Sequence, residues 1–344
     1  VARMQRANER LPDRCDTIGL AGAQTVEGTP SDLPYAQRVA ASLGVRLETI
    51  EVGPDIIEHL DEMLFHLDEP QADPAPINAL LIARQARADG IPVLLSGAGG
   101  DDIFSGYRRH HALRLERLWS WLPHATRSGL ARSARAVAEG RLRVPHAVHG
   151  ARRAVKMLSY SDYADDERLA SYFWWSTDAT RRALYSRDLQ AATADTHTAA
   201  PLLASLEHIP RERDPLQRML FLETKHFLAD HNLNYTDKMG MAAGVQVRVP
   251  LIDLDLVHFA ARIPPSLKQH GRTGKAIFKQ AMRDLLPADV IHRPKTGFGA
   301  PLRHWLRHEL RERVEDTLSA ESLRARGLFE PGAVRRLIDL DRAG

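Results

Sequence analysis

Cysteine is nearly missing from this sequence: Cys15 is the one thiol in 344 residues. No internal disulfide can form, which excludes a small disulfide-stapled secreted scaffold and makes the reducing cytoplasm the expected compartment. No apolar run approaches the roughly 18 residues a membrane-spanning helix needs. The first thirty residues lack the basic-then-apolar pattern of a secretory leader. Sixteen histidines are present, yet no His-Glu-x-x-His or Cys-x-x-Cys spacing occurs, and His110-His111 reads as part of a basic helix. A surplus of one charge is lacking too, since 47 Lys+Arg against 44 Asp+Glu leave +3, too little to demand a nucleic-acid partner.

What is there looks globular. A hydrophobic share of 44% and a charged share of 26% exclude wholesale disorder, collagen-like repeats and coiled coil. The length allows one large or two moderate domains, burying about three quarters of the unfolded surface without staples. The +3 is unevenly spread. Arg108 to Lys156 holds twelve Arg or Lys against Glu116 and Glu139, so this segment carries +10 and the remainder −7. It reads as helical, broken at Pro123 and Pro145. Such a stretch suits a phosphate-rich partner or a membrane surface, or is simply a solvated Arg-rich face.

The first hundred residues alternate in type. A helix end over 1–9, a strand at Thr17–Leu20 and a polar loop come first. A helix at Leu33–Leu43 follows, capped by Gly44, then a strand at Leu47–Val52. Helices at Asp55–Phe65 and Ile77–Ala88 precede the apolar run Ile91–Leu95, expected to be a strand buried on both faces. Strands alternating with helices argue for a doubly wound α/β layer. Beyond residue 107, helical patterns dominate, with Tyr172-Phe173-Trp174-Trp175 expected in a core or an inter-helix seam.

The strongest chemical signal is the passage from this last strand into Ser96-Gly97-Ala98-Gly99-Gly100-Asp101-Asp102-Ile103-Phe104-Ser105-Gly106-Tyr107. Ligands of open α/β sheets bind at the carboxyl ends of strands, and glycines let backbone N–H groups approach a phosphate. Asp101 and Asp102 supply hard oxygen ligands suited to Mg²⁺, or merely favour a helix N-terminus. The segment fits neither the dinucleotide-binding G-x-G-x-x-G pattern nor the P-loop. Gly271-Arg272-Thr273-Gly274-Lys275-Ala276 also fails as a P-loop, but its lysine can reach phosphates as a point charge. In Asp237-Lys238 through Arg248-Val249-Pro250-Leu251-Ile252-Asp253, charges interleave with small and apolar residues, so Arg248 is expected to pair with Asp253 or Asp237.

Taken in order, these segments resemble the C-terminal synthetase domain of glutamine-hydrolysing asparagine synthetases. The match runs from Leu67-Asp68-Glu69-Pro70 through Ser96–Tyr107, Asp237-Lys238 and Arg248–Asp253. It continues to Gly274-Lys275, Leu286-Pro287, Arg293-Pro294-Lys295-Thr296-Gly297-Phe298, Pro301 and Trp305. The resemblance implies an adenine-nucleotide α-hydrolase-like (ATP pyrophosphatase) fold, a parallel sheet with helices on both faces followed by a mostly helical C-terminal part. It implies three consecutive segments: an α/β nucleotide-binding core over 1–107, a basic helical segment over 108–212, and a helical remainder over 213–344.

The activity implied is ATP-dependent amide formation. A carboxylate, aspartate in the namesake enzymes, is adenylated, and ammonia from a glutaminase domain displaces AMP. By similarity Ser96 and Gly97 contact the nucleotide and Ile18, at the end of its strand, lies near adenine. Asp101 holds Mg²⁺-pyrophosphate with Asp102 in support, and Lys275 stabilises phosphate charge. Arg248 and Lys295 belong to the wall of the site. No membrane partner is implied, nucleic acid is not favoured, and a homodimer stays open.

Departures bear on the acceptor. Ala98 stands where the family has Glu, Asp102 is a methylene shorter than the usual Glu, and Gln246 replaces a common Glu. The carboxylate of a sugar in polysaccharide synthesis is the alternative acceptor. An RNA-modifying ATP pyrophosphatase and a decayed, non-catalytic scaffold are the competing classes. The family's Ser-Gly-Gly-x-Asp-Ser loop and its glutaminase domain find no counterpart, and Val1 is not Met. A fragment that is inactive by itself is the expectation.

Overall fold

The computed structural model describes residues 16–22, 32–138, 151–163, 165–293 and 302–342. The helix end at 1–9, Cys15, the loop after the first strand and Lys295 lie outside them, as do Pro145, Val1 and Gly344. The chain packs as two compact units, one formed by residues 1–106 with 223–310 and the other by 107–222 with 311–344. Each unit is built from two separated stretches, where the sequence suggested three consecutive segments.

The first unit opens with β1 (Asp16–Gly22), α1 (Leu33–Leu43) and β2 (Arg46–Val52). The two strands pair in parallel, from Asp16 opposite Arg46 to Gly22 opposite Val52. Parallel neighbours need a crossover, and α1 supplies it. Pro34 sits in the first turn of α1, and Gly44 ends it at φ +65°, donating to the Ala40 and Ala41 carbonyls. The helix expected over 55–65 divides into a 3₁₀ turn, Pro54–His59, and α2 (Leu60–Leu67). Next come α3 (Ala75–Ala88), β3 (Val93–Leu95) and α4 (Gly100–Phe104).

When the chain returns, an unusual π-helical stretch, Glu223–Leu233, runs into α5 (Asn234–Ala242), which packs on α3. Then follow β4 (Gln246–Arg248), a 3₁₀ turn at Pro250–Ile252, α6 (Leu254–Arg262), α7 (Ala276–Ala281) and α8 (Leu302–Arg307). β4 pairs in parallel with β3, Val93 opposite Gln246. Among the described residues the strands therefore form two parallel pairs, not one doubly wound sheet, and most of the chain is helical. The run ending at Leu95 is not buried on both faces. Leu94 packs on Ala83, Ala86 and Val245, whereas Val93 and Leu95 are exposed, because α3 covers one side of the pair.

In the second unit, Leu113, Leu169, Leu202, Leu206, Met219 and Leu222 form the core. Tyr172, Phe173 and Trp174 pack against it, while Trp175 is exposed. The basic segment is helical over Arg108–Leu115, His124–Ala138 and Ala151–Leu158, with Pro123 just ahead of the second of these. Part of its charge is used internally. Arg135 makes a bidentate pair with Asp162 at 2.9 and 2.8 Å, and Arg109 lies over the Tyr107 and Phe173 rings. Buried Arg168 reaches Glu116, the Met157 carbonyl and the Tyr172 hydroxyl, which itself donates to Glu116 at 2.7 Å. Among the described residues no helix is long and apolar enough to cross a membrane.

Candidate functional site

β3 delivers the chain to a glycine turn whose geometry follows from two short links. The Ser96 N–H donates to the Arg248 carbonyl at 2.8 Å, so the β3–β4 pairing continues one residue past the strands. Ser96 Oγ accepts from the Ala98 N–H at 3.2 Å, folding the turn back on itself. Gly99 has φ +86°, and its carbonyl accepts from Asp102 and Ile103 to start α4. A Cβ on Gly99 would stand 2.4 Å from Ile252 Cγ2, and one on Gly100 would stand 2.9 Å from Leu251 Cδ1. The Arg248–Asp253 motif thus lies directly against the turn; the positive φ and the Ile252 contact require glycine at position 99, and at Gly100 a side chain would displace Leu251. Gly97 differs: a Cβ there would meet nothing within 4 Å, so that face of the turn is open.

The second glycine-rich segment arrives at the same place. His270 and Thr273 exchange backbone hydrogen bonds of 2.9 and 2.8 Å, tightening the turn, and Lys275 then starts α7 at φ +54°. Its Nζ lies 2.8 Å from Asp101 Oδ1. Phe104 stacks on Phe278 with centroids 5.1 Å apart and planes 7° from parallel. Ile103 and Phe104 also join Ala260 of α6 and Ile263 just past its end in one cluster, so α4, α6 and α7 share a core. Burial, and then the neighbouring Lys275 charge, pull the Lys279 ammonium below its ordinary range, with Asp101 opposing.

Ser96, Gly97, Asp101 and Lys275 are therefore brought together at the carboxyl end of β3, beside Arg248 at the end of β4. The two aspartates part company: Asp101 retains some exposure, whereas Asp102 has none. Arg248 does not form the expected ion pair. Its exposed guanidinium donates to Gln246 Oε1 at 3.2 Å, and Asp253 instead caps α6 by accepting from Asp255 and Leu256. A carboxylate already serving a helix N-terminus has no need of the arginine. Ile18 is on the other strand pair, opposite Glu48; β1 continues to Gly22, so this residue is not at the strand's end.

Several neighbours were not legible in sequence. Lys238 of α5 donates to the Leu67 carbonyl at 2.7 Å and to Asp68 at 2.8 Å, joining two motifs 170 residues apart. Its hydrogen bond and charge hold the Asp68 carboxyl below the usual range. Two turns earlier, His231 Nε2 lies 3.1 Å from Asp73 Oδ2, and its ring stacks on Phe227. Burial raises the Asp73 pKa, but the hydrogen bonds from His231 and Ala75 outweigh it and the net shift is downward. Burial pushes the Tyr235 phenol up to about 12, helped by the Asp73 and Asp102 charges. These pairs are far apart in sequence and show no local periodicity that would announce them.

The family model for asparagine synthase matches residues 1–344. The chain belongs to the asparagine synthase family. A Mycobacterium tuberculosis (strain H37Rv) protein named "Putative asparagine synthetase (glutamine-hydrolyzing)" is 30% identical over 319 residues, covering 91% of this chain and 46% of the relative. "Asparagine synthetase (glutamine-hydrolyzing) 1" of Bacillus subtilis is 25% identical, over 84% of this chain and 43% of its own length. "Amidase chyE" of Penicillium rubens is 24% identical, over 88% and 46%. The chain spans less than half the length of these curated relatives.

Proposed function

We propose that this chain is the synthetase part of an ATP-dependent, glutamine-using ligase that converts a carboxylate into an amide. The observation that carries the reading is the 2.8 Å pair of Lys275 with Asp101 at the glycine turn after β3. A carboxylate is a poor electrophile until adenylation gives it a leaving group, and the barrier is largely one of charge on phosphate. Lys275 would set an ammonium beside the transferring phosphate, held in place by Asp101. Ser96 and Gly97 would receive the nucleotide, for which the open face at Gly97 leaves space. Ile18 is assigned to the adenine end, and Arg248 and Lys295 to the wall of the site.

The residues present fit a hard divalent ion on pyrophosphate. Asp101 is a partly exposed oxygen donor on the turn, and Asp102, fully buried, can only support it from behind. When bound, Mg²⁺ would neutralise phosphate charge. The β1–α1–β2 and β3–β4 parallel pairs are consistent with an adenine-nucleotide α-hydrolase-like fold. The glutamine-hydrolysing relatives support glutamine-derived ammonia, and its source is assigned to a glutaminase domain outside this chain.

The acceptor is aspartate or a related carboxylate. Ala98 supplies no carboxylate at the turn, and Arg248 is partnered by neutral Gln246, so the acceptor side has less negative charge than the resemblance implies. That favours keeping a sugar carboxylate as the second reading. The test is pyrophosphate release by the full-length protein with ATP, Mg²⁺ and glutamine, across a panel of aspartate and uronic acids. Stimulation by one carboxylate, with amide product, supports the reading; no stimulation by any of them overturns it.

A further inference from the structure

At the end of α8, far in sequence from the glycine turn, three side chains with metal-binding atoms converge in the first unit. His304 and His308 are one helical turn apart, and Glu309 follows directly. Ligand atoms of the three all lie within 4.8 Å of one another. The backbone fixes the arrangement. The His308 N–H donates to the His304 carbonyl at 3.1 Å, and the Leu310 N–H donates to the Trp305 carbonyl at 2.7 Å. Trp305 and Leu310 are buried, so the turn carrying the histidines is anchored on both sides. The imidazoles stack with centroids 4.2 Å apart.

Two details distinguish this from a chance pair of surface histidines. His308 Nδ1 lies 2.9 Å from the His304 carbonyl oxygen. A carbonyl only accepts, so Nδ1 carries the hydrogen, and in the neutral ring the lone pair is left on Nε2. Metal-bound histidines are commonly oriented by such a bond from their other nitrogen. The second detail is the His304 Nε2 to Glu309 Oε1 separation of 3.7 Å, too long for a hydrogen bond. Zinc bonds of about 2.0–2.2 Å to nitrogen and oxygen, meeting near the tetrahedral angle, span roughly 3.4 Å. An ion would fit that gap with a shift of a few tenths of an ångström. The remaining separations, all within 4.8 Å, close by side-chain rotation, which the exposure of His308 and Glu309 allows.

We propose that His304, His308 and Glu309 bind one divalent transition-metal ion of the zinc class, with water as the fourth ligand. Two imidazoles and one carboxylate select zinc, cobalt or nickel over Mg²⁺, which prefers all-oxygen octahedral sites. The site clasps the last turn of α8, so its role is to stabilise that turn and involves no step of amide formation.

The experiment uses the full-length protein stripped of metal. Zn²⁺ is titrated by calorimetry, and Co²⁺ is added for its visible spectrum. One equivalent should bind, Co²⁺ should give the intense bands of a tetrahedral site, and millimolar Mg²⁺ should not compete. His304→Ala and His308→Ala should each weaken binding at least tenfold, and Glu309→Gln less. An exposed control, His292→Ala, should change nothing. Circular dichroism confirms that the variants fold. Failure to bind one equivalent, or binding that survives the His304→Ala/His308→Ala double variant, overturns the proposal. Neither result bears on the proposed ligase activity.

Discussion

Lys275 Nζ stands 2.8 Å from the Asp101 carboxylate, joining the starts of two helices from the two separate stretches of the first unit. Lysine is also an uncommon residue at φ +54°, a conformation costing about 1–2 kcal/mol for a residue with a side chain. Strain held at a charged residue beside a glycine turn is what a functional role would maintain. Lys275→Gly is therefore expected to keep stability within about 1 kcal/mol, since relief of strain offsets the lost ion pair. Carboxylate-dependent pyrophosphate release by the full-length protein should fall at least ~100-fold. A variant that loses stability and activity together would show Lys275 to be structural only.

The glycines of the turn separate folding from function in a second way. Gly99→Ala places a Cβ 2.4 Å from Ile252 at φ +86°, so a loss of about 2–4 kcal/mol is expected in urea denaturation. Gly97→Ala meets nothing within 4 Å and should fold normally. Its methyl group instead occupies the open face assigned to the nucleotide, raising the KM for ATP. An unchanged KM would remove Gly97 from the nucleotide site.

Lys268 provides a pH signature. It is buried, its ammonium has no hydrogen-bond or ion-pair partner among the described residues, and desolvation lowers its pKa from 10.5 to about 8. The folded value lies below the unfolded one, so between about pH 8 and 10.5 the unfolded chain holds the extra proton. Stability contributed by this group should therefore rise with pH across that window and be flat below it. Lys268→Met should stabilise the protein at pH 7 by up to about 3 kcal/mol and abolish that rise. Denaturation midpoints at pH 7, 8, 9 and 10 for both proteins decide it.

In the second unit the buried Arg168 depends on Glu116. Glu116→Leu leaves the guanidinium without its carboxylate and should cost about 3 kcal/mol or more. The Tyr172 hydroxyl loses its acceptor in the same variant. Replacing both charges, as Arg168→Met with Glu116→Leu, should restore much of the loss, measured as a double-mutant cycle. Additive losses would mean that the two charges are not coupled.

Much of the first unit could be read in advance because its signals are local. Gly44 ending α1, the β1–α1–β2 alternation and the Ser96–Gly106 turn are set by residue type and spacing over a few positions. The Arg248 pairing misread the same kind of signal. Asp253 had a nearer demand, the N-terminus of α6, and local capping took precedence over the ion pair. The buried aspect of Ile91–Leu95 failed for another reason. An apolar run shows that a strand is wanted, but how many of its faces are covered depends on helices elsewhere in the chain.

The sequence by itself determined the family, the two glycine segments and the candidate residues Ser96, Asp101 and Lys275, because the chemistry needs those residue types at those spacings. Only the tertiary structure decided that Lys275 meets Asp101, that Leu251 and Ile252 press on Gly99 and Gly100, and that Asp102 is buried while Asp101 is not. These are long-range relations. They arise when separate stretches share one core, and no short-range pattern encodes which side chains that core brings within 3 Å.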